Sequence, residues 1–170
     1  MIVNLEYDYR NRLVKASDSS YIYDANNERV EVVNGNQTRR YVINPNAAIS
    51  QLLMETDEEG NPLTYYVYGL GLIGFEQDEA FLSYHYDYRG SVVALTNMDE
   101  KIVAQYHYDP YGQIIHAEGD VTQPFLFHGK FGVMTDESGL YFMRARYYNP
   151  YIGTFISKDS FLGSIERPLS

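Results

Sequence analysis

Tyr84-His85-Tyr86-Asp87 returns as Tyr106-His107-Tyr108-Asp109, and Tyr21-Ile22-Tyr23-Asp24 and Glu6-Tyr7-Asp8 are looser copies. The chain therefore carries an internal repeat built on Tyr and Asp. The repeat has a fixed punctuation: Asp followed three residues later by Gly or Asn, at Asp8/Asn11, Asp24/Asn27, Asp57/Gly60, Asp87/Gly90, Asp109/Gly112 and Asp136/Gly139. An Asp carboxylate accepts a hydrogen bond from the backbone N–H two residues on. Gly or Asn at the fourth place takes the left-handed conformation that ends a type I turn in a bulge. Between the turns polar and apolar residues alternate, as at Tyr21/Tyr23, Val30/Val32, Tyr41/Ile43, Tyr66/Tyr68, Tyr84/Tyr86 and Tyr106/Tyr108, with Asn34-Gly35 as a two-residue hairpin signal. The pattern predicts an all-β fold of ten to twelve short strands in consecutive antiparallel hairpins, continuing through Tyr141–Tyr148, and places His85 and His107 where they face one another across adjacent strands.

One segment dissents. Asn44-Pro45-Asn46-Ala47-Ala48-Ile49 opens like a helix, with a cap, a Pro at the first helical position and helix formers up to Glu55. The reading favours a strand over Gln51–Thr56, because Asp57-Glu58-Glu59-Gly60 then closes a hairpin onto Leu63–Tyr68.

Composition narrows the function. The chain has 170 residues, 18 Tyr and 45% hydrophobic residues, enough to bury a core as one domain. Its formal charge of −10 argues against nucleic acid and against an anionic membrane unless a basic patch exists, and the longest basic run is Arg39-Arg40. Zero Cys excludes disulfides, thiolate metal sites and a Cys nucleophile. No stretch has the length of a signal peptide or a membrane span. The four histidines, His85, His107, His116 and His128, lack the convergence a zinc site requires, the acidic turns do not follow a calcium-loop pattern, and Gly69-Leu70-Gly71-Leu72-Ile73-Gly74 leads into a hairpin rather than the helix a dinucleotide site needs. No catalytic, cofactor-binding or metal-ligating residue is assigned, and no cofactor is expected. A Tyr ladder serves as mortar between strands, since each cross-strand pair adds roughly 0.2–1 kcal/mol; a sugar-stacking face is the alternative. The chain also begins inside a repeat and stops without a terminal cap, so it reads as a slice of something longer whose open sheet edges invite self-association.

Asp136-Glu137-Ser138-Gly139-Leu140-Tyr141-Phe142-Met143-Arg144-Ala145-Arg146-Tyr147-Tyr148-Asn149-Pro150, followed by Gly153-Thr154-Phe155-Ile156-Ser157-Lys158-Asp159, resembles the core signature GLYxxRARYYDPxxGRFxSxDP of the Rhs/YD-repeat proteins, the family of bacterial polymorphic toxins, Tc-toxin C components and teneurins. Asn149, Thr154 and Ser160 depart from it. Tyr86–Thr96 and Tyr108–Gly112 match the family's repeats. The resemblance implies a curved sheet of YD hairpins over residues 1–120 and the RHS repeat-associated core over 121–170, one continuous unit of a β-shell. It implies a structural, non-enzymatic segment of a larger secreted or cell-surface bacterial protein, whose partners are the rest of the shell and an enclosed toxin or cargo, with a carbohydrate-binding module as the alternative. In the family a later D-P-x-G-L motif cuts the chain; Asp159 belongs to the earlier S-x-D-P element and takes no part in that cut.

Overall fold

The computed structural model describes residues 4–158. Twelve strands follow one another: β1 (Leu5–Tyr7), β2 (Leu13–Ala16), β3 (Ser19–Tyr23), β4 (Arg29–Asn34), β5 (Gln37–Asn44), β6 (Gln51–Thr56), β7 (Pro62–Tyr68), β8 (Leu72–Gln77), β9 (Ala80–Tyr86), β10 (Val92–Thr96), β11 (Ile102–Tyr108) and β12 (Ile114–Glu118). They form one antiparallel sheet in strict sequence order, each strand paired only with its chain neighbours. The all-β reading holds, and so does the strand over Gln51–Thr56. The helix-like start after Asn44 is a plain connection over residues 45–50, with the Asn44 side chain accepting from Asn46 N–H (3.1 Å).

The repeat dipeptide does two mechanical jobs. Asp turns the chain forward: in each of the six predicted turns the N–H of the fourth residue donates to the carbonyl of the Asp, and the fourth residue has a positive φ, from +60° at Asn11 to +92° at Gly112. A Cβ at Gly112 would also lie 2.7 Å from the Phe127 ring, so glycine is needed there twice over. Tyr clamps the chain backward. Each odd-to-even hairpin closes at one end of the sheet, so the preceding even strand is open there, and at four of the five such openings a Tyr hydroxyl bridges the gap. Tyr23 donates to Leu13 O (2.7 Å), Tyr68 to Leu52 O (3.1 Å), Tyr86 to Leu72 O (2.8 Å) and Tyr108 to Val92 O (2.7 Å). Beside these turns the register of all six hairpins slips by a residue, and such bulges bend the strands they interrupt.

Alternation gives the sheet two faces. Tyr21, Tyr66, Phe75, Tyr84, Leu95 and Tyr106 are buried on the inner one; Ile22, Val42, Tyr65, Val67 and Ile102 stand at the outer surface. The segment after β12 does not extend the ribbon, contrary to the expectation for Tyr141–Tyr148. It leaves the sheet at Gly119, sends Phe125 into the core, makes a 3₁₀ turn at Gly129–Phe131, and forms a second sheet of β13 (Met134–Thr135), β14 (Tyr141–Met143), β15 (Arg146–Asn149) and β16 (Thr154–Phe155). This sheet packs on the inner face, Tyr147 against Tyr21 and Phe142 against Tyr23. The apolar inner face needs a cover, and the next apolar residues in the chain supply it.

Three further details differ from expectation. His85 and His107 do not meet, because β10 lies between their strands; His85 bonds Thr96 Oγ1 (2.8 Å), and His107 pairs with His116, ring centroids 5.5 Å apart. The Asn34-Gly35 hairpin turns one residue later, on Gly35-Asn36, with Gly35 at φ +56° in the first central place that primed turns reserve for glycine. Asp78-Glu79 is an unforeseen two-residue turn in which both residues have positive φ (+51° and +62°). Left-handed backbone costs a non-glycine residue about 1–2 kcal/mol, and apolar alternation on either side overrides it.

Two stability measurements follow. Tyr108→Phe leaves the Val92 carbonyl without its donor and should cost about 1–2 kcal/mol in a urea titration, whereas Tyr65→Phe on the outer face should cost almost nothing. Replacing Asp78-Glu79 by Asn-Gly should raise stability by about 1 kcal/mol; a loss would show that the turn residues make contacts that outweigh their backbone strain.

Candidate functional site

Five of the six turn aspartates spend their carboxylates on their own turns. Oδ1 of Asp8, Asp24, Asp87 and Asp109 each accepts the N–H groups two and four residues on, at 2.8–2.9 Å, and Asp57 accepts from Asn61 N–H (2.7 Å) and Asn61 Nδ2 (2.8 Å). The Asn61 side chain, with the turn's N–H groups, holds the Asp57 carboxyl below the usual carboxylate range. Asn97 reproduces the arrangement with an amide oxygen, a seventh turn of the same kind.

Asp136 is the exception. Its backbone makes the turn, Gly139 N–H donating to Asp136 O (2.8 Å), but the N–H four residues on goes to Ser138 Oγ (3.4 Å). The freed carboxylate points inward and takes both contacts from Arg29 Nη1, at 2.7 and 2.9 Å. Arg29 is 1% exposed. It also donates to Tyr147 Oη (2.9 Å), and its guanidinium lies 4.3 Å from the Phe142 ring centroid with Tyr21 and Tyr41 at 5.4 and 5.5 Å. The pair joins β4 of the large sheet to the turn before β14 of the small one. Burial disfavours the charge on Arg29, but the Asp136 carboxylate together with the Tyr147 and Tyr41 hydroxyls outweighs it and keeps the guanidinium protonated. Burial lifts Asp136 above the usual carboxylate range, with Arg29 pulling the other way. A second buried carboxylate, Glu55 on β6, accepts from Tyr66 Oη (2.6 Å) and Arg39 Nη1 (2.8 Å).

The signature residues line the seam between the sheets. Tyr141 Oη donates to Gly112 O and Tyr148 Oη to Tyr111 O (3.0 Å), tying the small sheet to the last turn of the large one. Arg144 sits at φ +57° in the β14–β15 turn and donates to Phe131 O (2.6 Å), and Arg146 lies 3.8 Å over the Phe155 ring. Asn149 Oδ1 accepts from Tyr151 N–H (2.9 Å). An Asp there would accept the same bond, so this departure from the signature leaves the turn intact. Ser160 and Asp159 lie outside the described residues.

The arrangement holds two layers together. Among the described residues no group of three or more His, Asp or Glu side chains is placed to hold a metal ion. His128 Nδ1 bonds Arg89 O (2.9 Å) and His116 Nε2 bonds Glu118 (2.9 Å). A broad hollow of about 720 Å³ opens between the β2–β3 turn and the turns at 137–140 and 149–152; its charged lining groups are Asp18 and Glu137. The Tyr rings that would stack a sugar on the inner face are covered by the chain that follows β12: Tyr21 and Tyr23 lie against Tyr147 and Phe142 of the small sheet, and Tyr66 and Tyr84 against Phe125 of the segment before it. Reading Asp136 as a turn aspartate missed its second role, and the signal was available: only this Asp is followed by a Ser two residues on that can take over its turn bond.

Comparison with known proteins places this geometry. The Teneurin YD-shell family model matches residues 2–168. The tRNA nuclease WapA of Bacillus subtilis is 31% identical over 152 residues, 86% of this chain and 6% of that protein. Salivary gland surface protein 1 of Aedes aegypti is 36% identical over 62% of this chain and 3% of its own length, and toxin subunit YenC1 of Yersinia entomophaga 30% over 84% and 17%. The chain thus spans a small part of each relative. The crystal structure of TcdB2-TccC3 superposes with a TM-score of 0.70 at 19% identity, over 93% of this chain and 9% of that one.

Removing one partner of the buried pair strands the other. Arg29→Met should lose about 3–5 kcal/mol in urea unfolding, and the double change Arg29→Met/Asp136→Leu should recover most of it; equal losses in both would show that the site is held by packing alone. Burial pushes the Tyr68 hydroxyl up to about 12, and Tyr86, Tyr108 and Tyr147 are raised by the same cause. A tyrosine whose folded pKa exceeds its unfolded value of about 10 contributes stability that is complete below that pH and is lost as pH climbs through the folded value. Circular dichroism should therefore stay native to about pH 10, and the fold should then be lost with a concerted rise in tyrosinate absorbance; tyrosinate formation without loss of fold would contradict the burial of these rings.

Proposed function

The chain belongs to the teneurin YD-shell family, and from that premise we propose that it is a stretch of wall in a β-shell that encloses a toxin or other cargo domain carried on the same polypeptide. The supporting observation is the way the molecule uses its own surface. The large sheet grows by one hairpin per repeat without closing, and its inner face is sealed by the segment that follows it through the Arg29–Asp136 pair. Such a unit is suited to separating two spaces. Among the described residues, those up to 120 supply the wall and those from 121 onward its lining, as one continuous unit.

On this reading the segment is non-catalytic, and chemistry belongs to whatever is enclosed. The tRNA nuclease named among the relatives suggests a nuclease as one class of cargo. Action outside the producing cell, secreted or at the cell surface, is the setting in which a closed wall has a use; among the described residues no helix is long and apolar enough to cross a membrane.

The test is a graft. Residues 1–170 replace the matching region of the Bacillus subtilis WapA protein, and protease resistance of that protein's nuclease domain is followed. The expected result is a folded chimera whose domain stays protected, together with no tRNA cleavage by the isolated chain. A folded chimera with an accessible domain would overturn the wall reading, and tRNA cleavage by the isolated chain would overturn the non-catalytic one.

A further inference from the structure

The two rims of the large sheet differ in chemistry. The five turns joining even to odd strands carry Asp18, Asp57, Glu58, Glu59, Asp78, Glu79, Asp99 and Glu100 against Lys101 alone, a net charge of −7 out of the chain's −10. The opposite rim ends in apolar tips. Leu70, at the apex of Gly69-Leu70-Gly71, is fully exposed (107%), as is Tyr88 (96%), and Ile49 and Phe131 are about half exposed beside them. A groove of about 290 Å³ runs between Ile49, Leu70 and Phe131 with Lys130 on its wall. Lys130 and Phe131 pack on the β9–β10 turn, where Lys130 Cβ and the Phe131 ring lie within contact distance of Gly90. Lys130 is the charged residue that lines the groove; next to the lining, Arg144 reaches Phe131 O, Glu28 accepts from Ser50, and the Arg89–Asp87 pair sits in the adjoining β9–β10 turn, a local net of +1 in an acidic protein. Asp87 is occupied by Arg89 (3.3 Å) and its own turn, and Glu28 by Ser50.

We propose that this rim is a docking surface for an anionic lipid bilayer, in which Leu70, Tyr88 and Phe131 enter the interfacial layer and Lys130 meets the headgroups. Protruding aliphatic and aromatic tips beside cations are the chemistry of the membrane interface, where rings with a polar end and basic side chains settle at headgroup depth. The overall charge does not prevent it. Strands of five to seven residues at about 3.3 Å per residue set the acidic rim roughly 20 Å away, about two Debye lengths at physiological salt. The patch comes from residues 49, 70, 88 and 130–131, so no basic run in the sequence reports it. The proposal is independent of the wall reading.

The test is co-sedimentation of the chain with phosphatidylcholine vesicles that contain or lack phosphatidylserine. Binding to the phosphatidylserine vesicles is expected, weakened at high salt, and reduced roughly ten-fold by either Leu70→Glu or Lys130→Glu, both at exposed positions that leave the fold unchanged by circular dichroism. Glu58→Gln on the acidic rim should change nothing. Absence of vesicle binding, or binding that survives both rim variants, overturns the proposal. So does a self-association seen by sedimentation velocity that Leu70→Glu abolishes in a chain that ignores vesicles, since the rim would then be a contact between copies.

Discussion

A guanidinium with 1% of its residue exposed cannot stay in a protein interior unless an anion comes with it. Arg29 is that group, and the anion arrives from 107 residues further along the chain. The pairing fixes which turn of the second sheet lies over which strand of the first. Once Asp136 is against Arg29, Tyr147 reaches the same guanidinium, Phe142 stacks on its face, and β14 and β15 are set in register over β3 and β4. Apolar packing alone tolerates a sliding interface; a single two-contact ion pair does not.

The ribbon beneath obeys a more local rule. Tyr and Asp, adjacent in sequence, act in opposite directions at the same rim: the Asp carboxylate caps the turn that leads onward, and the Tyr hydroxyl ties the strand to the one before. A backbone-paired hairpin leaves its open end to fray, and a net hydrogen bond worth about 1 kcal/mol at four of the five open ends counters that. Repeated along the sheet, the device lets a long ribbon hold together strand by strand, with contacts only between neighbours.

Placing most of the negative charge on one rim has its own physical consequence. Like-charged turns repel one another and any second acidic surface, so that rim stays solvated, while the apolar rim is free to meet another surface. The sheet is therefore directional, with an acidic edge, an apolar-tipped edge, an outer face of scattered aliphatics and an inner face covered by its own chain.

The twelve-stranded ribbon was legible in the residue order because everything that sets it is local. Side-chain alternation, a carboxylate four residues from the N–H it accepts, and a residue able to take positive φ at the fourth place all fall within one turn. The same locality explains why Gln51–Thr56 reads as a strand despite its helix-like approach: the turn at Asp57–Gly60 needs a partner strand on each side. The signature around Gly139–Asn149 was legible as a family pattern, though not as a second sheet. Tertiary structure alone decided the rest. Ser138 hints that the Asp136 carboxylate is free of its turn, but nothing in the sequence near either residue names Arg29 as its partner, since their attraction becomes strong only after both have left water. The meeting of His107 with His116, the apolar rim and the burial of the Tyr face depend likewise on strand order and on which segment folds back, and these are relations between distant residues that leave no periodic trace in the chain.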